Sequence, residues 1–151
     1  MSTEANQAIV RRFFEEYYIQ GNAAVGDEII TPQVVFHEAN LEVVGRESLD
    51  ERWGYFRGGF PDLQINIEDM FGDGDRVLSR WTMQGTHLGE WRGMEGTGKQ
   101  VTVKGMSVWR IADGKIEEAW LSFDALGLLR QLGVLPPGRH PAQAAAGTDG
   151  H

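Results

Sequence analysis

Apolar positions recur at spacings of three and four along the first sixty residues. Ile9, Val10, Phe13, Phe14 and Tyr17 share one face of a predicted helix over 5–20. Ser2 or Thr3 can cap its start, and Gly21 ends it. A short helix is expected over 23–30, and Pro32 turns the chain into a strand over 34–38. A second strand is expected over 41–44. A helix over 46–57 follows, with Leu49, Trp53 and Phe56 on one face and Gly58-Gly59 at its end.

From Pro61 the period becomes two. Leu63, Ile65 and Ile67 alternate with polar residues, and Val77, Ser79, Trp81 and Met83 alternate beyond a turn at 72–75. A glycine-rich loop over 85–100 leads to strands over 101–111 and 116–124, joined at Asp113-Gly114, a strong hairpin signal. A helix over 125–132 closes the domain. Helices first and antiparallel strands second define an α+β fold with helices over one face of a curved sheet. The expected layout is one domain over 1–135 and a mobile tail over 136–151.

A two-residue type I′ turn at Asp113-Gly114 sets a register that sorts side chains onto two faces. Val103, Gly105, Ser107, Trp109, Trp120, Ser122 and Asp124 form the expected inner set, with small residues leaving open volume beside Asp124. Met106, Val108, Ala119, Leu121 and Phe123 form the expected outer set, edged by an Arg110–Glu117 pair. An apolar centre with a charged rim suggests a homodimer packed sheet to sheet through those five residues.

Charge and composition narrow the partners. The net charge is −8, which repels nucleic acid and anionic membrane, and neither is expected as a partner. No apolar run approaches membrane-spanning length. The chain has no cysteine, and its N-terminus is polar without an apolar core, so a cytoplasmic protein without a secretory leader is expected.

Candidate chemistry centres on Asp124. Ala125-Leu126 begins a helix, so Asp124 reads first as an N-cap. The rival reading is a pocket carboxylate tuned by desolvation for proton transfer. His37 and Glu38 point to opposite faces of one strand, so one of them faces inward. A strand histidine such as His37 is more often structural than catalytic. His87 sits where a strand leaves the sheet, either at a pocket mouth or within the turn. Trp53, Trp81, Trp109 and Trp120, with Phe13, Tyr17, Phe36 and Phe60, are mostly core on any reading, yet would suit a small, flat aromatic ligand. The run Gly93-Met-Glu-Gly-Thr-Gly98-Lys99 imitates a phosphate loop but leads into a strand rather than a helix. Four scattered histidines give no metal spacing, so neither metal nor cofactor is expected.

Phe60-Pro-Asp-Leu63, Gly85-Thr-His87, Asp113-Gly-Lys-Ile116-Glu, and Glu118-Ala-Trp120 through Asp124-Ala-Leu-Gly-Leu-Leu-Arg-Gln-Leu-Gly133 together resemble the SnoaL-like polyketide cyclases. That family lies within the nuclear-transport-factor-2-like superfamily. The resemblance spans residues 5 to about 135. It implies a cone-shaped α+β barrel with an apolar cavity, and a carboxylate at Asp124 serving an aldol ring closure of an aromatic polyketide of the anthracycline type. It lifts the catalytic reading of Asp124 above the cap. His37 is the second catalytic candidate, and Trp120, Ser122, Ser107, Trp109, His87, Trp53, Trp81, Phe36, Tyr17 and Phe60 are the expected substrate contacts. Cyclases of this type often carry a histidine near the aspartate, where this chain has Leu121 and Ser122. Relatives in anthracycline pathways are assigned to ring hydroxylation, which here would need no bound cofactor but a separate reductase. Two further alternatives are a ketosteroid-isomerase-like isomerase or hydratase using Glu38 or His37, and a non-catalytic small-molecule-binding dimer.

Overall fold

A computed structural model describes residues 2–136. Apart from its first residue, the expected tail lies outside them. The order of elements is helix α1 (Thr3–Arg12) with a π-helical continuation (Phe13–Ile19), α2 (Ala23–Ile29), β1 (Ile30–Glu38), β2 (Leu41–Val44), α3 (Arg46–Gly59), β3 (Gln64–Asp73), β4 (Arg76–Thr86), β5 (Gln100–Ala112), β6 (Lys115–Phe123) and α4 (Ala125–Gln131). One curved six-stranded sheet runs β2-β1-β6-β5-β4-β3. The expected α+β architecture is present, with one difference: β1 joins β6 in parallel, and every other pairing is antiparallel.

The first helix is not uniform. Ser2 caps it, its hydroxyl accepting from the Ala5 N–H at 3.1 Å. From Phe13 the winding widens to a π-helix. In an α-helix Phe13 and Tyr18 would lie about 140° apart. The wider turn brings them to one side, with near-parallel rings 6.4 Å apart. Phe13, Phe14, Tyr17 and Tyr18 are all buried as a result.

Strand β1 begins four residues before its expected start. Pro32 sits exposed in the stretch between Ile30 and Val35 where the register to β6 slips, so its missing N–H breaks no ladder bond there.

The core lies between the helices and the inner face of β4 and β5. Trp81 and Trp109 occupy diagonal positions on these strands, and each indole N–H donates to a serine on the other strand. Trp81 Nε1 reaches Ser107 Oγ at 2.9 Å, and Trp109 Nε1 reaches Ser79 Oγ at 2.9 Å. Buried donors are thus satisfied inside an aromatic core. Gly105 lies opposite Trp81, and a Cβ there would fall 2.5 Å from the indole ring. The small residues on β5 make room for tryptophans of the core.

The hairpin turn forms as expected, with Asp113 and Gly114 both at positive φ (51° and 78°), and with Ala112 opposite Lys115 and Ile111 opposite Ile116. One residue further on, the register slips. Arg110 pairs with Glu118, and Glu117 is an extra residue, a β-bulge. Arg110 spans the irregularity, donating to Glu117 at 2.9 Å and to Glu118 at 3.2 Å. Beyond the bulge every β6 side chain changes face relative to the simple hairpin. Trp109 meets Ala119, Ser107 meets Leu121, and Gly105 meets Phe123. Ala119, Leu121 and Phe123 therefore point inward and cannot form the outer subunit contact expected of them. Trp120 and Ser122 point outward beside Val108 and Met106. The β5 half of the assignment stands.

Candidate active site

A cavity of about 410 Å³ opens between the sheet and helices α3 and α4. Its floor is Trp81, Met83, Val103, Leu121 and Phe123 of the sheet. Tyr18, Trp53, Phe56 and Trp91 add aromatic walls, and Ala125, Leu128 and Leu129 of α4 close one side. Ser48 and Glu51 border it at exposed positions. An annex of about 30 Å³ lies behind Tyr18, Trp53, Trp81 and Leu121, which border both spaces.

Besides Glu51 and Arg92, which line it at exposed positions, the charged groups of the wall are an ion pair. Glu38, whose side chain is only 7% exposed, takes two hydrogen bonds from Arg52. Arg52 Nε donates to Oε2 at 2.9 Å and Nη2 to Oε1 at 2.6 Å. Such a fork fixes the guanidinium plane. Tyr18 stands edge-on to Trp53 with centroids 4.9 Å apart, and the Arg52 guanidinium lies 5.8 Å from the Trp53 ring centre. Burial pushes the Tyr18 hydroxyl well above the ordinary phenol range, so it stays protonated. The Trp53 indole N–H is buried and has no acceptor among the described residues.

Asp124 is the N-cap of α4. Its Oδ1 accepts from the Gly127 N–H at 2.9 Å. The residue is exposed, so the enclosure expected around its carboxylate is absent. It does not itself line the cavity, although its neighbours in the chain, Phe123 and Ala125, both do. Gly127 allows this arrangement, because a Cβ there would meet Asp124 Oδ2 at 2.2 Å.

The other expected site residues divide clearly. Trp53 and Trp81 line the cavity. Phe36, Ser107 and Trp109 reach only the annex, and the Ser107 hydroxyl is already occupied by Trp81. Trp120 and Ser122 are on the outer face because of the Glu117 bulge. Of His37 and Glu38, it is Glu38 that faces inward. His37 sits outside, bound to Glu118 at 2.6 Å and Glu42 at 2.8 Å, with its ring stacked on Trp120. Those carboxylates, Glu118 first, raise the His37 pKa. His37 is thus a strand-to-strand connector on the outer face.

Tyr17 is turned away from the cavity and donates to Asp50 at 2.5 Å. Phe60 and His87 are fully buried under the glycine-rich loop, stacked 5.4 Å apart. His87 Nδ1 receives the Thr97 side of that loop at 3.0 Å. Its backbone N–H donates to Lys99 O and its carbonyl accepts from Gly98 N–H, so the phosphate-loop imitation folds back as a β-type connection. Among the described residues no three His, Asp or Glu side chains gather in a metal-binding arrangement.

Sequence reasoning missed Tyr18, Arg52, Phe56 and Trp91 as wall residues. Glu38 shares strand parity with Phe36, a signal that could have placed it inside. Tyr18 had none, because a regular α-helix would hide it.

The curved sheet, its helical cover and the aromatic cavity define a small α+β enzyme scaffold of the nuclear-transport-factor-2-like type. The chain belongs to the SnoaL-like polyketide cyclase family, an enzyme family that matches residues 8–132. It is 29% identical over 139 residues to the aklanonic acid methyl ester cyclase DnrD of Streptomyces peucetius, covering 88% of this chain and 92% of that one. Similar solved structures include the following two. A candidate SnoaL-like polyketide cyclase from Jannaschia sp. CCS1 has a TM-score of 0.82 at 26% identity, over 89% of this chain and 95% of that one. AclR of Streptomyces galilaeus, a candidate hydroxylase, has a TM-score of 0.83 at 26% identity, over 96% of this chain and 91% of that one.

Proposed function

We propose that this chain is an aldol-type cyclase of an aromatic polyketide ester, similar in substrate class to the aklanonic acid methyl ester of its relative. The observation that carries the reading is an aromatic-walled cavity of about 410 Å³ whose lining includes Phe123 and Ala125, the chain neighbours of the Asp124 carboxylate. A flat polycyclic ligand matches the Trp53, Trp81, Phe56 and Trp91 walls. Asp124 Oδ1 is held by Gly127, and Oδ2 makes no hydrogen bond among the described residues. That oxygen takes a proton from the carbon beside a carbonyl. The resulting enolate carbon attacks a second carbonyl carbon, a C–C bond forms, and the new alkoxide recovers the proton. The reaction is an isomerisation and consumes no redox partner.

The test is conversion of a pre-cyclised polyketide methyl ester under anaerobic conditions, followed by chromatography. Wild type should close the ring. Asp124→Asn should lower turnover at least about 100-fold, within the range for losing a general base, while folding normally because Asn also caps helices. Unchanged turnover in this variant would remove Asp124 from the mechanism. Asp124→Ala should in addition lose about 1 kcal/mol of stability.

The similarity to AclR supports a second reading, hydroxylation of a polyketide ring. It requires oxygen and a reductant supplied by a separate reductase. Product formed only with both would replace the cyclase reading. An isomerase using Glu38 as base is less favoured, because both Glu38 oxygens are taken by Arg52.

A further inference from the structure

The polar groups in the inner wall of the cavity are unbalanced. Glu38 commits both oxygens to Arg52. Arg52 keeps Nη1 and a second Nη2 hydrogen beyond that fork. The Tyr18 hydroxyl makes no hydrogen bond among the described residues and stays protonated. The Trp53 N–H, on the same stretch of wall, is buried without an acceptor. This stretch therefore offers more donors than free acceptors, the Tyr18 oxygen alone being able to accept as well as donate, beside aromatic surfaces on which a flat ring can lie.

We infer that Arg52 and Tyr18 form a recognition site for a ring carbonyl oxygen of a planar aromatic ligand, with Glu38 acting as the clamp that orients Arg52. The inference rests on the cavity being the substrate site, as the cyclase reading holds, and deepens it by naming the group that is recognised. The ion pair is neutral as a unit, so it favours a polar, uncharged acceptor over an anion drawn by net charge. A quinone-type carbonyl aimed at the wall accepts from Arg52 Nη1 or Tyr18, and a small turn of Trp53 supplies a third donor. An analogue without the carbonyl leaves these donors unpaired, which is the stronger source of discrimination. Arg52 and Tyr18 are specificity-determining residues in this scheme, and Glu38 is a positioning residue.

The experiment compares anthraquinone-2-sulfonate with anthracene-2-sulfonate, two probes of the same ring frame and charge that differ in the two carbonyls. Binding to the full chain is read from quenching of tryptophan fluorescence, since Trp53, Trp81 and Trp91 line the cavity. The quinone should bind at least about tenfold more tightly. Tyr18→Phe should reduce that ratio. The double variant Glu38→Leu/Arg52→Met removes clamp and donor together, so no buried charge is left alone, and should reduce it as well, while the three changes together should bring the ratio close to one. Equal affinity of wild type for the two probes, binding of neither, or a ratio that survives both variants would overturn the inference. Asp124→Asn separates this result from the cyclase reading: it should abolish ring closure and leave the quinone preference intact. Lost preference with intact ring closure defeats only the inference, and intact preference without ring closure defeats only the cyclase reading.

Discussion

Three residues show how much depends on single atoms. Gly105 leaves space for the Trp81 ring, whose N–H is satisfied by Ser107. In Gly105→Ala the new Cβ would lie 2.5 Å from the indole and 2.9 Å from the Ser122 carbonyl. The ring must move, and its hydrogen bond is lost. The expected cost is about 1–3 kcal/mol, read as a lower urea midpoint at unchanged slope. Gly127 does the same for Asp124, whose carboxylate lies over it as the cap of α4. Tyr18 depends on winding rather than on a neighbour, since it reaches the cavity only because the first helix widens after Arg12. The sequence reading had Tyr17 on the functional face. A period of 3.6 could not reveal a local change to a longer one.

At the scale of elements, the bulge at Glu117 decides which half of β6 is the cavity floor. The turn residues were legible, and so was the pairing of Ala112 and Ile111. The bulge was not, because it is stabilised from outside the hairpin. Arg110 joins Glu117 and Glu118, while β1 aligns Val35, Phe36 and His37 with Glu118, Ala119 and Trp120. The apolar parity of Ala119, Leu121 and Phe123 fits both faces of an isolated hairpin, but only one face of a sheet with a helical cover. Deleting Glu117 should restore the simple register and drive Trp120 and Ser122 inward. The variant is expected to lose its cooperative unfolding transition by near-ultraviolet circular dichroism, since no core space exists for a second indole there. A variant that melts as wild type does would show that the bulge is dispensable. Helix α3 was legible in its face and in its end at Gly58-Gly59. Its partner, the turn carrying Trp91, was not, because Tyr55, Glu90 and the Arg92 and Gly93 N–H groups meet only in the folded chain.

Across the whole molecule, the outer face carries a charged and aromatic cluster that ties β1, β2 and β6 together. His37 bonds to Glu42 and Glu118, Glu118 also receives Arg110, and Trp120 lies between the His37 ring and the Arg76 guanidinium. The His37 pKa is raised, so folding strengthens proton binding there. Its contribution is complete below its ordinary value of 6.5 and is lost as pH rises through the raised folded value. Glu118 is shifted the other way, first by His37 and then by Arg110. Its contribution is complete above its ordinary value of 4.5 and is lost as pH falls through the depressed folded value. The stability difference between wild type and His37→Gln should therefore be greatest between about pH 4.5 and 6.5 and shrink on both sides, most simply followed by thermal melts across pH. A flat difference would remove His37 from this role. None of the described helices is long and apolar enough to cross a membrane.

The sequence alone determined the order of helices and strands, the two-residue hairpin turn, the inward set of β5 and the family resemblance. Each of these is local, set by side-chain period, turn chemistry or a short run of residues. The tertiary structure alone decided the parallel union of β1 with β6, the face of β6 and the composition of the cavity. Those depend on contacts between segments far apart in the chain, where one inserted residue reverses a strand's faces without changing its pattern. Asp124 belongs to both: its capping role was legible from Ala125-Leu126 onward, and its exposed position beside the cavity-lining Phe123 and Ala125 needed the fold.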